Sequence, residues 1–389
     1  MASSSVTHSL FLVFTGAACL ATVALYARQA MLVAYIVLGA AFGPWGLGMV
    51  SDAEWIREVA AIGIMFLLYL IGLNLPPQQL WRMMGEALWV AIASSLLFVL
   101  LGVLMGLVYG LNVKEALFLG AALAFSSTII GVKLLPTTAL HHRHTGQIII
   151  SLLLLQDLLA IVILLLLQGY GKGGGLLSDV ALQLAGLPLM MGVAYALDRW
   201  VLERLVARFD QIHEYLFLLA IGWCLGMAEL AVLFGLSHEI GAFIAGVTLA
   251  SSPVALFIAE SLKPVRDFFL VLFFFSLGAG FDLGRLAGLI VPAALMALAA
   301  LSIKPLIFQR LLMRAGEARE ISLEVGVRLG QNSEFALLIA VLALQTGFIN
   351  EQVSYLVQMA TLLTFIVSSY VVVLRYPTPI AVSDRLRRD

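Results

Sequence analysis

The sequence has little charge and very little cysteine. Only 12% of its 389 residues are charged, against roughly 25% in soluble domains, and 62% are hydrophobic. A net charge of −1 offers no basic surface for nucleic acid. The two cysteines, Cys19 and Cys224, lie far apart in apolar runs, which argues against a disulfide framework, a CxxC motif and a zinc site. With a mean hydropathy of +1.05, these shortages predict an all-α polytopic membrane protein embedded in a lipid bilayer.

Long apolar runs recur along almost the whole chain. A membrane-spanning helix needs about 20 apolar residues. The sequence predicts about thirteen such spans, at roughly 8–27, 30–50, 57–76, 86–110, 115–136, 145–170, 177–197, 213–234, 237–257, 264–284, 288–309, 319–347 and 353–374. The links between them are short, so we expect a single transmembrane domain over residues 1–389.

Basic residues alternate between the links, and this bias predicts the orientation. One set of links and the tail hold Arg28, Arg82, Arg143, Arg199, Arg204, Arg208, Lys263, Arg266, Arg310, Arg314, Arg319, Arg375, Arg385, Arg387 and Arg388. The opposite set holds only Arg57, Lys114, Lys172 and Arg285. The bias places the N-terminus outside and the C-terminus in the cytoplasm, which requires an odd number of spans.

The two halves of the chain resemble each other. Residues 66–75 align with residues 274–283 at an offset of 208, which pairs Gly72 with Gly280. A looser match pairs residues 36–39 with residues 243–246. The matching spans are seven apart and therefore run in opposite directions. This pattern predicts an inverted repeat, which is common in secondary transporters.

Asp157 is the only charged residue in the middle of the sixth span, where it follows Gln156. An ionisable side chain at this depth costs on the order of 3 kcal/mol and indicates function by default. Burial favours the neutral acid, whereas a nearby cation favours the carboxylate. Gln156 offers a neutral oxygen ligand of the kind that hard cations prefer. We therefore expect Asp157 to hold a proton and a metal ion alternately, although a structural cap or ion pair is the alternative.

Polar residues interrupt the fifth and the twelfth spans. Residues 125–131 carry Ser126, Ser127 and Thr128, and residues 330–336 form the second interruption. Paired breaks in symmetry-related helices indicate an ion site at the midplane, because unwound backbone is tolerated only where it lines a cavity or is buried in protein. Hydroxyl groups that simply join helices are the alternative explanation.

Other ionisable residues in the spans have less specific roles. Lys304 is the candidate partner of Asp157, unless it extends to the cytoplasmic interface. Glu324 and Arg328 have the spacing of a helical ion pair. Glu334 is placed to cap a broken helix at its positive end or to attract cations.

Several further features argue against an enzyme. Residues 141–144 read His-His-Arg-His, which is more typical of a basic cytoplasmic loop than of a metal site. Glu229, His238 and Glu239 flank an outer link and are expected to face water. An intramembrane aspartyl protease would need two paired carboxylates, and the sequence offers only Asp157 in mid-span. No cofactor is expected.

Seven motifs, in order, are similar to those of the membrane domain of Kef-type potassium–proton antiporters, within the monovalent cation–proton antiporter family. They are residues 39–44, 66–75, 126–128, 144–157, 235–246, 273–282 and 330–336. The resemblance extends from about residue 30 to residue 370. It implies a sodium–proton antiporter-like fold of thirteen helices, with inverted repeats and two broken helices crossing near Ser127-Thr128 and Asn332-Ser333.

The resemblance also implies a division of labour and an oligomeric state. Relatives of this kind are homodimers in the inner (plasma) membrane whose core moves against the dimer domain like an elevator. The dimerisation part would comprise 8–76 and 213–284, the transport part 86–170 and 288–374, and the linker helix 177–197.

The resemblance implies electroneutral exchange of potassium for protons, because a neutral residue precedes the aspartate. The proton and the K⁺ ion (or Na⁺) would share Asp157, with Gln156, Ser127 and Thr128 as ligands. The supporting residues would be Ser126, Asn332, Ser333, Glu334 and Lys304. A sodium–proton antiporter of the same fold and, less favoured, a cation channel are the alternatives.

The sequence departs from the Kef pattern in two places. Asn74 stands where relatives often carry an acidic residue, and Kef proteins continue into a cytoplasmic nucleotide-binding regulatory domain beyond the point at which this sequence ends. The chain is therefore either a short member of the family or one that lacks a regulatory domain or subunit of the longer protein, and the resemblance does not extend to control by nucleotide or glutathione.

Overall fold

The computed structural model describes residues 6–50, 54–73, 86–133, 144–170, 176–209, 211–282, 284 and 287–378. These residues form helices and contain no β-strand. In chain order the α-helices are α1 Val6–Tyr26, α2 Met31–Phe42, α3 Glu54–Leu73, α4 Glu86–Val108, α5 Val113–Leu123, α6 Thr128–Lys133, α7 His144–Tyr170, α8 Leu176–Leu197, α9 Glu203–Phe209, α10 His213–Leu233, α11 His238–Leu249, α12 Ala255–Ala279, α13 Ile290–Arg314, α14 Arg319–Arg328, α15 Glu334–Gln345 and α16 Glu351–Arg375. A π-helical turn, Asp198–Leu202, joins α8 to α9, and a 3₁₀ turn, Ala287–Leu289, precedes α13.

The helices confirm the all-α polytopic fold. Six stretches in the described chain are long and apolar enough to cross a membrane, namely Val6–Tyr26, Leu88–Val108, His144–Leu164, His213–Leu233, Ile290–Arg314 and Glu351–Arg375. Each of the predicted spans contains at least one of the helices, and the fifth and twelfth spans are each divided into two, as their polar interruptions indicated. Apolar run length therefore determines where the helices form.

Three predicted span boundaries are wrong by eight residues or more. Helix α2 ends at Phe42, because Gly43 and Pro44 stop it, and the prediction extended to 50. Helix α11 ends at Leu249, ahead of Pro253, rather than at 257. Helix α12 begins at Ala255, not at 264, so the predicted link with Lys263 and Arg266 is helical. The charged residues there form local pairs, such as the Lys263–Glu260 ion pair. Because of these charges, this polar part of the helix has the composition of a loop.

The described chain divides into two compact units. The first comprises residues 1–17, 35–82 and 168–280, and the second comprises residues 18–34, 83–167 and 281–389. Whether they correspond to the predicted dimerisation and transport parts stays a prediction.

In the first unit, glycines let two pairs of helices cross with their backbones in contact. Helix α2 meets α12, where a methyl group on Gly39 would overlap the carbonyl oxygen of Phe275 and one on Gly278 would overlap that of Ile36. This reciprocal contact is possible only because neither position has a side chain.

Helix α3 meets α11 in the same way. A methyl group on Gly246 would overlap the carbonyl oxygen of Tyr69, and one on Gly72 would lie 2.5 Å from that of Phe243. The two crossings are related by the internal repeat, and they correct its register. Gly72 corresponds to Gly278 (278 − 72 = 206) rather than to Gly280 as the alignment predicted.

The second unit contains two helix crossings that are copies of each other, and they are also 206 residues apart. A methyl group on Gly120 of α5 would overlap the carbonyl oxygen of Val99 in α4, and one on Gly326 of α14 would lie 2.6 Å from that of Pro305 in α13. Both pairs are related by 206 residues (326 − 120 and 305 − 99). This offset relates residues across the candidate site as well.

Candidate functional site at the crossing of two broken helices

Two interruptions of helices, each a short non-helical segment called a break here, define the candidate site. The first break, residues 124–127, separates α5 from α6, and the second break, residues 329–333, separates α14 from α15. A serine ends each break: the hydroxyl oxygen of Ser127 accepts from the Ile130 N–H at 3.1 Å, and that of Ser333 accepts from the Phe335 N–H at 3.1 Å. These serines supply the acceptors that helix N-termini require, so both helices restart immediately after their breaks.

The two breaks contact each other directly. The Ser126 hydroxyl donates to the carbonyl oxygen of Leu329 at 2.7 Å, and the Gln331 side-chain amide lies 3.5 Å from the carbonyl oxygen of Ser127. Ser126, Ser127 and Gln331 are all fully buried. The broken helices therefore cross where the sequence predicted, to within about two residues.

Lys304 of α13 joins the breaks through their backbones. Its fully buried ammonium group donates to the carbonyl oxygens of Phe125 and Gln331, both at 2.9 Å, and lies 4.9 Å from the centre of the Phe98 ring. Phe125 and Gln331 are related by the 206-residue offset, and so are Phe98 and Lys304. The lysine thus lies where the repeats meet, and it neutralises the partial negative charge at the ends of two half-helices.

This geometry corrects the expected role of Lys304. Among the described residues, no ion pair joins it to Asp157, and full burial excludes an extended side chain at the cytoplasmic interface. These partners could not be predicted from the sequence, because main-chain carbonyl groups have no residue signature.

Asp157 lies in α7 and is 1% exposed. The Thr128 hydroxyl at the start of α6 lies 3.2 Å from one carboxylate oxygen and 3.4 Å from the other. Within the described part of the chain these are its only hydrogen bonds. A buried carboxylate with a single hydroxyl donor is poorly compensated, so it favours either a proton or a bound cation.

Gln156 holds the first break. Its side-chain oxygen accepts from the Ser126 N–H at 3.0 Å, while its amide nitrogen has no hydrogen-bond partner among the described residues. The expected role as a cation ligand is therefore restricted to the second lone pair of that oxygen. Gln156 links the break to the residue that precedes Asp157.

Glu334 is the first residue of α15 and is 4% exposed. The N-terminus of a helix favours a carboxylate there, as the sequence indicated. Its carboxylate is close enough to Asp157 to interact electrostatically with it. The sequence indicated one buried acid in mid-span, and the structure adds a second buried acid near it.

Helix α16 supplies hydroxyl groups to the second break, and these groups were not predicted from the sequence. The Asn332 N–H donates to the Thr364 hydroxyl oxygen at 3.1 Å, and the Asn332 side-chain amide lies 3.4 Å from the Thr361 hydroxyl oxygen. The Ser368 hydroxyl donates to the side-chain oxygen of Gln331 at 3.0 Å. We name Thr361, Thr364 and Ser368 the hydroxyl clamp. The sequence feature that could have indicated them is their helical spacing within an apolar span.

The remaining predictions concern the periphery. Arg328 pairs with Glu324 at 2.9 Å as predicted, and it also donates to the carbonyl oxygen of Pro377 at 2.9 Å. The Nε2 atom of His238 lies 3.3 Å from a carboxylate oxygen of Glu229, and both side chains are exposed, in agreement with a water-facing position.

Other sequence features lie at or beyond the edge of the described chain. His144 pairs with Glu317 at 2.8 Å, while residues 141–143 and Asn74 lie outside the described residues. The described part of the chain contains no cluster of three His, Cys, Asp or Glu residues that could hold a metal ion.

Inverted repeats, two crossing broken helices and a buried carboxylate at the crossing define a secondary transporter rather than an enzyme. The family model for the transmembrane sodium/hydrogen exchanger matches residues 10–374. The chain therefore belongs to the sodium/hydrogen exchanger family.

Curated relatives support the similarity to Kef proteins. The glutathione-regulated potassium-efflux system protein KefC of Klebsiella pneumoniae (strain 342) is 33% identical over 85% of this chain and 55% of its own length. The K(+) efflux antiporter 4 of Arabidopsis thaliana is 30% identical over 85% of this chain and 57% of its own length. The chain thus spans somewhat more than half the length of these relatives.

Solved structures share the fold. The sodium proton antiporter MjNhaP1 from Methanocaldococcus jannaschii at pH 8 has a TM-score of 0.68 and 17% identity, covering 94% of this chain and 95% of its own. An electron-microscopy structure of MjNhaP1 has a TM-score of 0.69 at 17% identity. At this identity the likeness concerns the fold alone.

Proposed function

We propose that this protein exchanges K⁺ for H⁺ across the membrane, one for one, through Asp157. The observation that carries the proposal is the buried carboxylate with a single hydroxyl donor, beside a neutral amide and at the crossing of two breaks. Membership of an exchanger family supports cation–proton antiport as the reaction. The names of the KefC and K(+) efflux relatives support potassium as the cation.

Electrostatics links the two ions at Asp157. The protonated side chain is neutral, and so is the carboxylate with a monovalent cation bound. The bare carboxylate is the costly state, because an unpaired charge in a membrane interior costs on the order of 3 kcal/mol. Only the two neutral states would cross readily, so one ion moves outward for each that moves inward. Gln156, Ser127 and Thr128 would complete the cation's oxygen ligands.

Movement would follow the elevator scheme, with the unit that contains both breaks as the moving part. The second unit, residues 18–34, 83–167 and 281–389, contains every candidate site residue named above, which supports its role in transport. The first unit, with residues 35–82 and 168–280, would form the homodimer interface in the plasma membrane.

A sodium–proton antiporter is the second candidate. The MjNhaP1 structures have the same fold and are of a sodium proton antiporter, and selectivity depends on ligand spacing rather than on fold. A channel is less favoured, since a carboxylate that alternates between proton and cation suits exchange rather than free conduction.

The test is proton flux in sealed liposomes that contain the purified protein, with potassium or sodium added on one side and the membrane potential clamped. Potassium should drive proton movement that is insensitive to voltage. Asp157→Asn should abolish it while the protein still folds. Asp267→Asn is the matched control, because Asp267 is a half-exposed acid paired with Arg266, and this variant should transport normally.

Three outcomes would contradict parts of the proposal. Exchange that survives in Asp157→Asn would remove Asp157 from the mechanism. Proton movement driven by sodium alone would retain the site and overturn the selectivity. Ion flux without linked proton movement would favour a channel.

A further inference from the structure

We propose that the hydroxyl clamp of α16 (Thr361, Thr364 and Ser368) positions the second break and thereby sets the cation affinity of the Asp157 site. The inference deepens the proposed exchange function and rests on it. It assigns a role to α16, the last helix of the described chain, which carries no charged residue at the candidate site.

The clamp contacts two consecutive residues of the break with separate groups. Thr364 accepts from the Asn332 N–H, Thr361 lies next to the Asn332 side-chain amide, and Ser368 donates to the side-chain oxygen of Gln331. Thr364 also donates to the carbonyl oxygen of Thr361 at 2.7 Å, which fixes its hydroxyl as an acceptor toward the break. All three hydroxyl residues are buried.

The internal repeat distinguishes Thr364 from an ordinary packing residue. Ser126 and Asn332 are related by the 206-residue offset, and each uses its main-chain N–H in the same way. The Ser126 N–H bonds the side chain of Gln156 in α7, and the Asn332 N–H bonds that of Thr364 in α16. Helix α16 is therefore the counterpart of the helix that carries Asp157, and it supports its own break with a hydroxyl group as α7 supports the first break with Gln156.

The second break in turn holds the first. The carbonyl oxygen of Leu329 accepts from Ser126, and that of Gln331 accepts from Lys304. A displaced second break would shift Ser126, and with it Gln156, which precedes Asp157. It would also shift Glu334, which lies two residues beyond Asn332 at the start of α15. The clamp thus reaches the carboxylate through these two routes.

The same helix offers a matched control. The Ser354 hydroxyl is fully buried in α16 and donates to the carbonyl oxygen of Ala340 within α15. It joins two helices away from both breaks, as hydroxyl groups commonly do in membranes. If buried hydroxyls of α16 serve packing alone, Thr364 and Ser354 should behave alike when removed.

The experiment compares Thr364→Val, Thr364→Ser and Ser354→Ala in two assays of the full chain. Potassium-driven proton flux gives KM and kcat, and thermal unfolding in detergent with increasing KCl gives cation binding without transport. Thr364→Val leaves a buried N–H without an acceptor, so we expect KM and the half-saturating KCl concentration to rise about tenfold. Thr364→Ser restores the acceptor and should restore both values, and Ser354→Ala should change neither.

Hydrogen–deuterium exchange supplies a third readout. Thr364→Val should speed amide exchange in the peptide containing residues 329–333, whereas Ser354→Ala should not. The proposal is overturned if Thr364→Val lowers the unfolding temperature but leaves cation affinity and this exchange unchanged, or if both removals shift affinity equally. A wild-type protein that binds cations but shows no linked proton flux would instead contradict the proposed antiport, while the binding and exchange readouts still decide the clamp.

Discussion

A lysine in the middle of an apolar span is usually explained by a charged partner, and Lys304 shows a different solution. Its ammonium group binds two carbonyl oxygens, Phe125 and Gln331, at the unwound ends of two half-helices. These carbonyl oxygens follow the ends of half-helices and have no intrahelical donor, and such groups need a partner from the protein when they are buried in a membrane. The lysine therefore compensates backbone carbonyl groups rather than the Asp157 side chain.

Replacing Lys304 tests this account at the residue scale. Lys304→Met preserves length and apolar packing but leaves both carbonyl oxygens without a donor, so we expect about 2–4 kcal/mol of destabilisation. Thermal unfolding in detergent measures it. Lys263→Met is the control, because Lys263 is half-exposed and such a surface ion pair contributes less than about 1 kcal/mol. Equal unfolding temperatures for the two variants would contradict the role of the carbonyl contacts.

At the scale of the helices, close backbone contact at glycines joins helices without buried charges. The crossings of α2 with α12 and of α3 with α11 bring main chains together at Gly39, Gly278, Gly72 and Gly246. Small residues allow this approach, and dispersion contacts and weak hydrogen bonds then hold the helices. Because the two crossings are copies of each other, the contacts preserve the repeat even where the sequence alignment differs from the structural correspondence by two residues.

Gly246→Ala tests the crossing of α3 with α11. The added methyl group would overlap the Tyr69 carbonyl oxygen, which is main chain and cannot rotate away. Overpacking of this kind costs about 1–3 kcal/mol or more, so the variant should show reduced yield and a lower unfolding temperature. Gly222→Ala in α10 is the control, since a methyl group there has open space and replaces a poor helix former. A Gly246→Ala variant as stable as Gly222→Ala would show that the helices do not approach so closely.

For the whole molecule, the orientation predicted from loop charge has a direct test. The arginine-rich links predict that the N-terminus lies outside, that the link between α10 and α11 faces outside and that the start of α12 faces the cytoplasm. Glu229 and Glu260 lie in these two regions and are both well exposed.

Single cysteines at these two positions report the orientation in a variant without Cys19 and Cys224. We expect Glu229→Cys to react with a membrane-impermeant maleimide added to intact cells. Glu260→Cys should react only after the membrane is permeabilised. The reverse pattern would invert the topology, and with it the direction in which protons and cations enter the site.

The sequence by itself determined the helices and the residue at the centre of the site. A hydrocarbon environment requires apolar runs of a set length and makes a buried acid costly. Both the spans and the position of Asp157 can therefore be predicted from the sequence. The polar interruptions at Ser126–Thr128 and Gly330–Ala336 likewise predicted the broken helices, because polar groups at that depth need a reason.

Only the tertiary structure decided which groups meet. The partners of Lys304 are main-chain carbonyls, the register of the repeat is set by which glycine faces a neighbouring backbone, and the hydroxyl clamp acts on residues about thirty positions away. Backbone groups are the same at every residue, so no sequence pattern distinguishes the ones that bind. Such contacts depend on how distant helices pack, and packing is a property of the assembled fold.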